Sequence, residues 1–392
     1  MMVEEAKNHL CRKIIPFWQN LADTEYGGFY GWVDYDRNID KKADKGCILN
    51  SRILWFFSNA YTILQAENLL KMSDHAYEFM IRHCLDEVKG GVFWSLHYDG
   101  SVADDTKHTY NQAFAIYALS SYYETSKNKD ALDKAFELYE LVENKCRANT
   151  GYLEALDADF CPIANDKLSE NGVIAARTMN TLLHVLEAYT ELYRVSKKEQ
   201  VKKSLETIME LFVSRIYNPM LRRQEVFFDE NYRSLIDLHS YGHDIETSWL
   251  LDRTVEILGE KKYEDMIFPI TSALREEIYN TAFDGASLAN ECENKVVDDD
   301  RIWWVQAEAL VGFLNGYEKD KTQKKYLKAA FSVWEYIMTN LVDAHQDGEW
   351  FWKVSKDGLA DKTKPFVEPW KCPYHNGRMC FEIIKRGMEN DS

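Results

Sequence analysis

A short run of glycine, aromatic and acidic residues returns along this chain at a near-constant interval. It reads DTEYGGFYGWVDYD from Asp23, DEVKGGVFWSLHYDG from Asp86 and RANTGYLEALDADF from Arg147. Weaker copies follow at Arg222 (RRQEVFFDENYRS), Phe283 (FDGASLANECENK) and Gln346 (QDGEWFWKVSKDG). Gly28 to Gly91 is 63 residues, Gly91 to Gly151 is 60, and Asp284 to Asp347 is 63. Such a period fits six times into 392 residues, and a fixed period of this kind marks a repeat architecture.

Each punctuation segment lies between two helix-like stretches of different character. The stretch before it is amphipathic. In NKDALDKAFELYELVENK, Leu132, Ala135, Phe136, Tyr139 and Val142 share one stripe, with charged residues elsewhere. The stretch after it is apolar nearly all round, as in HTYNQAFAIYALSSYY and NTLLHVLEAYTELY, and such a helix is buried on every face. Each unit therefore reads as outer helix, connector, inner helix. Six such hairpins predict an all-α fold, an (α/α)6 barrel spanning 1–392 as one domain, with the inner helices as its wall. An open solenoid is the other arrangement of helical repeats. Closure is preferred, because the inner stretches are uniformly apolar and neither end carries a polar capping repeat. The connectors share one rim, where their alternation (GFYGWVDYD, GVFWSLHYD) predicts short β-hairpins. Few breakers, 18 Gly and 7 Pro, fit twelve helices.

The 64 acidic and 47 basic residues leave a net charge of −17, which repels phosphate backbones and anionic membranes. Neither nucleic acid nor membrane is an expected partner. The opening MMVEEAKNHLCRKIIPFW is charged and amphipathic rather than signal-like, and the eight cysteines form no CxxC pair. These features predict a cytoplasmic protein with reduced, structural thiols.

If the repeats superpose, the first turn of every inner helix faces one end of the central cavity. In order, these places hold Asn50 and Arg52; His108, Tyr110, Asn111 and Gln112; Arg177, Asn180 and His184; His239, His243 and Glu246; Arg301, Trp303, Trp304, Gln306 and Glu308; Trp370, His375 and Arg378. Polar groups ahead of long apolar stretches are costly to bury unless paired, so their concentration in six equivalent places is informative.

The triplet HxxxHxxE of His239, His243 and Glu246 would share one helix face at i, i+4 and i+7. A zinc site is one reading, although the HExxH order is absent. Capping and core hydrogen bonding is another. The reading preferred here has Glu246 hydrogen-bond His243, fix its tautomer and tune its basicity. His375, two repeats further on, can approach one substrate atom from a different side, which makes His243 and His375 a candidate two-base pair. Taken alone, His375 or His184 equally suits a satisfied core histidine. Tyr110, Trp303, Trp304 and Trp370 can stack on sugar faces or pack the core. Trp303 and Trp304 leave their helix in different directions, so one of them is expected in the pocket. Arg52 can hold a carbonyl or enolate oxygen, or else form an ion pair.

Taken as whole motifs, the sequence resembles the cellobiose 2-epimerases of the N-acylglucosamine 2-epimerase superfamily. The resemblance is carried by NSRILWFFSNAY at Asn50, KHTYNQAFAIYALS at Lys107, RTMNTLLHVLEAYTELYR at Arg177, SLIDLHSYGHDIETSWL at Ser234, RIWWVQAEA at Arg301 and PWKCPYHNGR at Pro369. It runs essentially end to end. It implies an (α/α)6 barrel and reversible C2 epimerisation of the reducing-end glucose of β-1,4-linked disaccharides, cellobiose to glucosyl-mannose and lactose to epilactose. It implies no metal and no nucleotide cofactor. By motif, His243 and His375 would transfer the proton, Glu246 would support His243, His184 would open the ring, and Arg52 would lie beside the reacting oxygens. Tyr110, Asn180, Trp303, Trp304, Glu308 and Trp370 complete the expected substrate-binding set. N-acylglucosamine 2-epimerases and mannose isomerases share the barrel and much of the histidine pattern, so they are the neighbouring activities.

Two other classes compete. A glycoside hydrolase needs two carboxylates flanking a bond, for which Glu246 and Glu308 could be nominated. A non-catalytic sugar-binding protein would explain the aromatics but not two opposed histidines. The oligomeric state is not legible.

Overall fold

The computed structural model describes residues 2–167 and 171–387. Its inner helices, first to sixth, are Cys47–Leu64, Thr109–Ser126, Met179–Ser196, Tyr241–Leu258, Trp303–Lys319 and Tyr374–Arg386. Its outer helices are Met2–His9, Glu67–Phe79, Lys129–Leu141, Glu199–Leu211, Lys261–Thr281 and Lys324–Tyr336. Each inner helix packs on the next, and the sixth packs on the first, so the ring closes as an (α/α)6 barrel rather than an open solenoid. The helix Met2–His9 backs the sixth inner helix, and every other outer helix backs the inner helix that precedes it. No described helix is long and apolar enough to cross a membrane.

Burial follows the two kinds of helix. Every residue from Thr109 to Tyr122 is buried, as an inner stretch apolar on all sides requires. The outer helix Lys129–Leu141 buries Ala131, Ala135, Leu138 and Tyr139 and leaves Leu132 and Phe136 half-buried, a stripe rotated slightly from the expected one. Four outer helices end in a wide π-helical turn, at Met80–Cys84, Val142–Cys146, Phe212–Ile216 and Ile337–Leu341, and in the first outer helix the same turn, Leu10–Ile14, is followed by a further helix Ile15–Gln19. The turn returns a buried residue (Ile14, Cys84, Cys146, Ile216 or Leu341) to the core.

The connectors are built on a repeated clamp. Asp23, Asp86 and Asp284 each accept two backbone N–H groups of the following turn. Each also takes a buried cation from two residues before the next inner helix: Lys45 at 2.6 Å, Lys107 at 2.8 Å and Arg301 at 2.6 Å. Gly28 must be glycine, since it has φ +66° and a Cβ there would come within 2.6 Å of the Phe79 ring.

The strands on this rim also pair between connectors. The strand before one inner helix joins the strands of the next connector: Lys45 opposite Leu96, Lys107 opposite Leu156, Arg177 opposite Phe228, Ser240 opposite Glu291, and Ile302 opposite Lys353. Val33 and Val367 bridge the first connector to the last and complete the circle. Isolated two-residue strands have open edges, and pairing each with its neighbour's satisfies them. The result is a stiff collar at the end where the inner helices begin.

Candidate active site

The register of the inner helices decides what faces the axis. Second and sixth residues supply much of the cavity wall, with Tyr110, Asn180, Trp304 and His375 in one layer and Arg52, His184 and Glu246 in a deeper one. A cavity of about 220 Å³ opens at the collar and is lined by Arg52, Tyr110, Asn180, His184, His243, Glu246, Trp303, Trp304, Trp370 and His375. Thus ten of the eleven residues singled out for catalysis or binding line one space. The eleventh, Glu308, lies behind His375 and is fully buried.

Arg378, one turn beyond Tyr374 on the sixth inner helix, is the hub beneath the cavity. Its Nη1 donates to Glu187 and Tyr374, and its Nη2 to Glu246 Oε1 and, at 2.7 Å, to Glu308 Oε1. Three carboxylates around one guanidinium leave an excess of negative charge in a dry place. Burial and the mutual repulsion of Glu246 and Glu308 hold the carboxyl of Glu246 far above its usual range. Burial also raises Glu308, against the pull of Arg378. Burial pushes Glu187 the same way, but Arg378, His184 and Tyr374 overcome it and keep Glu187 ionised. Glu246, Glu308 and His375 bring ligand atoms within 4.8 Å of one another, the spacing of a metal site. Arg378 Nη2 bonds the Oε1 of both carboxylates, so a guanidinium already serves as their cation.

Three histidines meet the cavity, each held through Nδ1. His375 Nδ1 lies 2.7 Å from Glu308 Oε1, His184 Nδ1 2.9 Å from Glu187 Oε2, and His243 Nδ1 2.7 Å from Ser240 Oγ. Burial drives His243 down to about 3, with His184 adding to the effect. Burial, Arg378 and Arg52 put His375 well below the ordinary imidazole range, and burial lowers His184 too. All three are neutral at pH 7 and can accept a proton. Trp304 packs between two of them, its ring centroid 4.7 Å from that of His243 and 5.4 Å from that of His375. Gly242 makes room for it, since a Cβ there would lie 2.5 Å from the indole.

Arg52 is buried beside them. Nη2 donates to Tyr110 Oη at 2.8 Å and Nη1 to the Trp370 carbonyl at 3.4 Å. The guanidinium lies 4.1 Å from the Phe114 ring centroid and 4.9 Å from that of Tyr374. Among the described residues no carboxylate forms an ion pair with Arg52, and its Nε has no hydrogen-bond partner. The ion-pair alternative is therefore set aside: this is a buried cation without a counter-ion, facing a cavity.

Several expectations are corrected. His239 does not share a helix face with His243, because the fourth inner helix starts only at Tyr241; His239 lies in a strand and pairs with Asp244 at 2.8 Å. Glu246 is not the partner of His243; Ser240 holds that ring, and Glu246 turns to Arg378. Trp303 and Trp304 both reach the pocket, because Trp303 sits at the very start of its helix and packs edge-on against His375 at 5.3 Å. Asn50, Gln112 and Gln306 serve the collar instead, bonding the backbone of Phe29, Val92 and Leu288. They occupy the fourth residue of their helices, which faces the connector. Sequence reasoning missed Glu187 and Ser240. The signal for Glu187 was a carboxylate three residues after His184 on the same helix.

A closed double ring of helices, with three histidines and an arginine without a carboxylate partner around an aromatic cup at its collar, defines an α/α-barrel protein with a polar pocket at one rim. Residues 28–376 match the family model of N-acylglucosamine 2-epimerase. A cellobiose 2-epimerase of Eubacterium cellulosolvens is 49% identical over 405 residues, covering 99% of this chain and 100% of that protein. One from Ruminococcus albus is 46% identical over 389 residues, covering 99% and 100%. A crystal structure described as a sugar epimerase from a ruminal bacterium superposes with a TM-score of 0.98 at 46% identity, covering 99% of this chain and 100% of that one. The chain belongs to the N-acylglucosamine 2-epimerase family.

Proposed function

We propose that this protein is a sugar isomerase that inverts C2 of the reducing-end glucose of β-1,4-linked disaccharides, converting cellobiose to glucosyl-mannose and lactose to epilactose. The observation that carries the reading is Arg52, a buried guanidinium without a carboxylate, facing the same cavity as two neutral histidines. A buried cation of this kind is stabilised by an anion that forms beside it. An enediolate is such an anion.

The C2 proton becomes acidic only when C1 is a carbonyl, so the pyranose opens first. His184, held by Glu187, serves that step by moving a proton between the ring oxygen and O1. His375 then takes the C2 proton on Nε2, its Nδ1–H remaining on Glu308. Arg52 holds the oxygens of the resulting cis-enediolate, an interaction worth roughly 3–4 kcal/mol per well-placed donor. Rotation about C2–C3 presents the other face, and His243 delivers a proton there. From mannose the two roles reverse. Tyr110, Asn180, Trp303, Trp304 and Trp370 hold the sugar, the indoles by stacking.

The hydrolase reading fares worse. Both Glu308 oxygens are engaged, Oε1 by His375 and Arg378 and Oε2 by Trp249 at 2.9 Å. That takes Glu308 out of the nominated carboxylate pair. Incubation with cellobiose separates the readings: glucosyl-mannose supports epimerisation, free glucose means hydrolysis, and no change leaves only binding. His243→Ala and His375→Ala are each expected to abolish epimer formation with little loss of melting temperature.

A further inference from the structure

We propose that Ser240 is a positioning residue that keeps a proton on His243 Nδ1 and so dedicates Nε2 to the substrate. The inference deepens the two-histidine reading above and rests on it. Ser240 is the last residue before the fourth inner helix, and its backbone is fixed by strand pairing opposite Glu291. Its side chain lines the cavity, with Oγ 2.7 Å from His243 Nδ1.

The comparison with the other two histidines gives the arrangement its meaning. His184 and His375 place Nδ1 against carboxylates, Glu187 and Glu308. A carboxylate fixes the Nδ1–H tautomer and adds negative charge that strengthens Nε2 as a base. A serine hydroxyl accepts the same Nδ1–H bond without that charge. His375 and His243 therefore present the same nitrogen to the sugar, one held by a carboxylate and the other by a hydroxyl.

From glucose, the C2–H bond breaks, its proton goes to His375 Nε2 and its electron pair enters the enediolate. His243 takes up a proton from solvent at Nε2 as the enediolate forms, and that proton makes the new C2–H bond while His375 later returns its own to solvent. His243 is left neutral, with its remaining proton on Nδ1 donated to Ser240 Oγ. One proton leaves carbon and one returns, so charge balances. Without Oγ the neutral ring can settle with its proton on Nε2, where no lone pair remains to take a proton from C2.

The test uses the full-length protein labelled with 15N-histidine, together with Ser240→Ala and Ser240→Thr. Two-bond 1H–15N spectra of the sugar-free protein, assigned with His243→Gln, report the tautomer directly. Expected are Nδ1–H in the wild type, a shift toward Nε2–H in Ser240→Ala, and recovery in Ser240→Thr. An Nε2–H wild type, or an unchanged Ser240→Ala, overturns the proposal. With cellobiose in heavy water, Ser240→Ala should form epimer at least about tenfold more slowly. The same variant should still exchange the C2 hydrogen of recovered cellobiose through His375. Equal loss of exchange and epimer formation contradicts a positioning role. If the wild type forms no epimer at all, the functional reading fails by itself, and the spectra still decide the role of Ser240.

Discussion

His375 Nδ1 lies 2.7 Å from Glu308 Oε1, and that oxygen also accepts from Arg378 Nη2 at 2.7 Å. The carboxylate thus couples the proposed base to the cation beneath the cavity. Glu308→Gln keeps the shape and removes the charge. Its kcat should fall about 10²-fold with a smaller change in KM. A less basic His375 stays unprotonated further into acid, so the acidic limb of the kcat profile moves to lower pH. Calorimetry should show little loss of melting temperature, because Arg378 keeps Glu187 and Glu246 and the repulsion between Glu246 and Glu308 is relieved.

Arg52→Lys retains the positive charge but not the planar fork that meets Tyr110 and the Trp370 carbonyl. If the guanidinium holds the enediolate, kcat falls by about 10²-fold, equivalent to roughly 3 kcal/mol of barrier. Steady-state kinetics on cellobiose checks this, and an unchanged kcat would remove Arg52 from the chemistry.

Gly242 tests the role of the Trp304 indole. A methyl group at this position meets Trp304 Cη2 at 2.5 Å and Val305 Cγ2 at 2.7 Å. Gly242→Ala should cost about 1–3 kcal/mol of stability by overpacking. It should also raise KM, because the displaced indole is the one that packs against both histidines. Denaturant titration and kinetics read the two effects separately.

Glu154 makes stability depend on pH. Its carboxylate accepts from Thr178 N at 2.6 Å and Thr181 Oγ1 at 2.6 Å, anchoring the start of the helix that carries Asn180 and His184. Burial nevertheless raises it to about 7, above the ordinary 4.5. The folded state holds this proton more tightly than the unfolded chain does. Its contribution to stability is therefore complete below pH 4.5 and is lost as pH rises through 7, a change of roughly 3 kcal/mol at most. In urea titrations from pH 5 to 9, Glu154→Gln should lose less stability than the wild type.

The barrel was legible because its repeat is written twice, in the interval between Gly28 and Gly91 and in the contrast between stretches such as Lys129–Leu141 and Thr109–Ser126. The cavity residues followed from helix register. What register could not give was pairing across the ring. Glu246 and Glu308 are 62 positions apart in sequence and share Arg378, a contact set by closure alone. His239 was misplaced because HSYGHDIE suits a helix by spacing, while pairing with the next connector holds its first residues as a strand. The strand pairing between connectors was hidden for the same reason, since two-residue strands leave almost no periodicity to read.

The central claim is that a proton leaves C2 to one histidine and returns from another on the opposite face. Turnover of cellobiose in heavy water, followed by NMR of the glucosyl-mannose formed, tests it most directly. The account expects deuterium at C2 of the new mannose residue; product that retains protium there would contradict it.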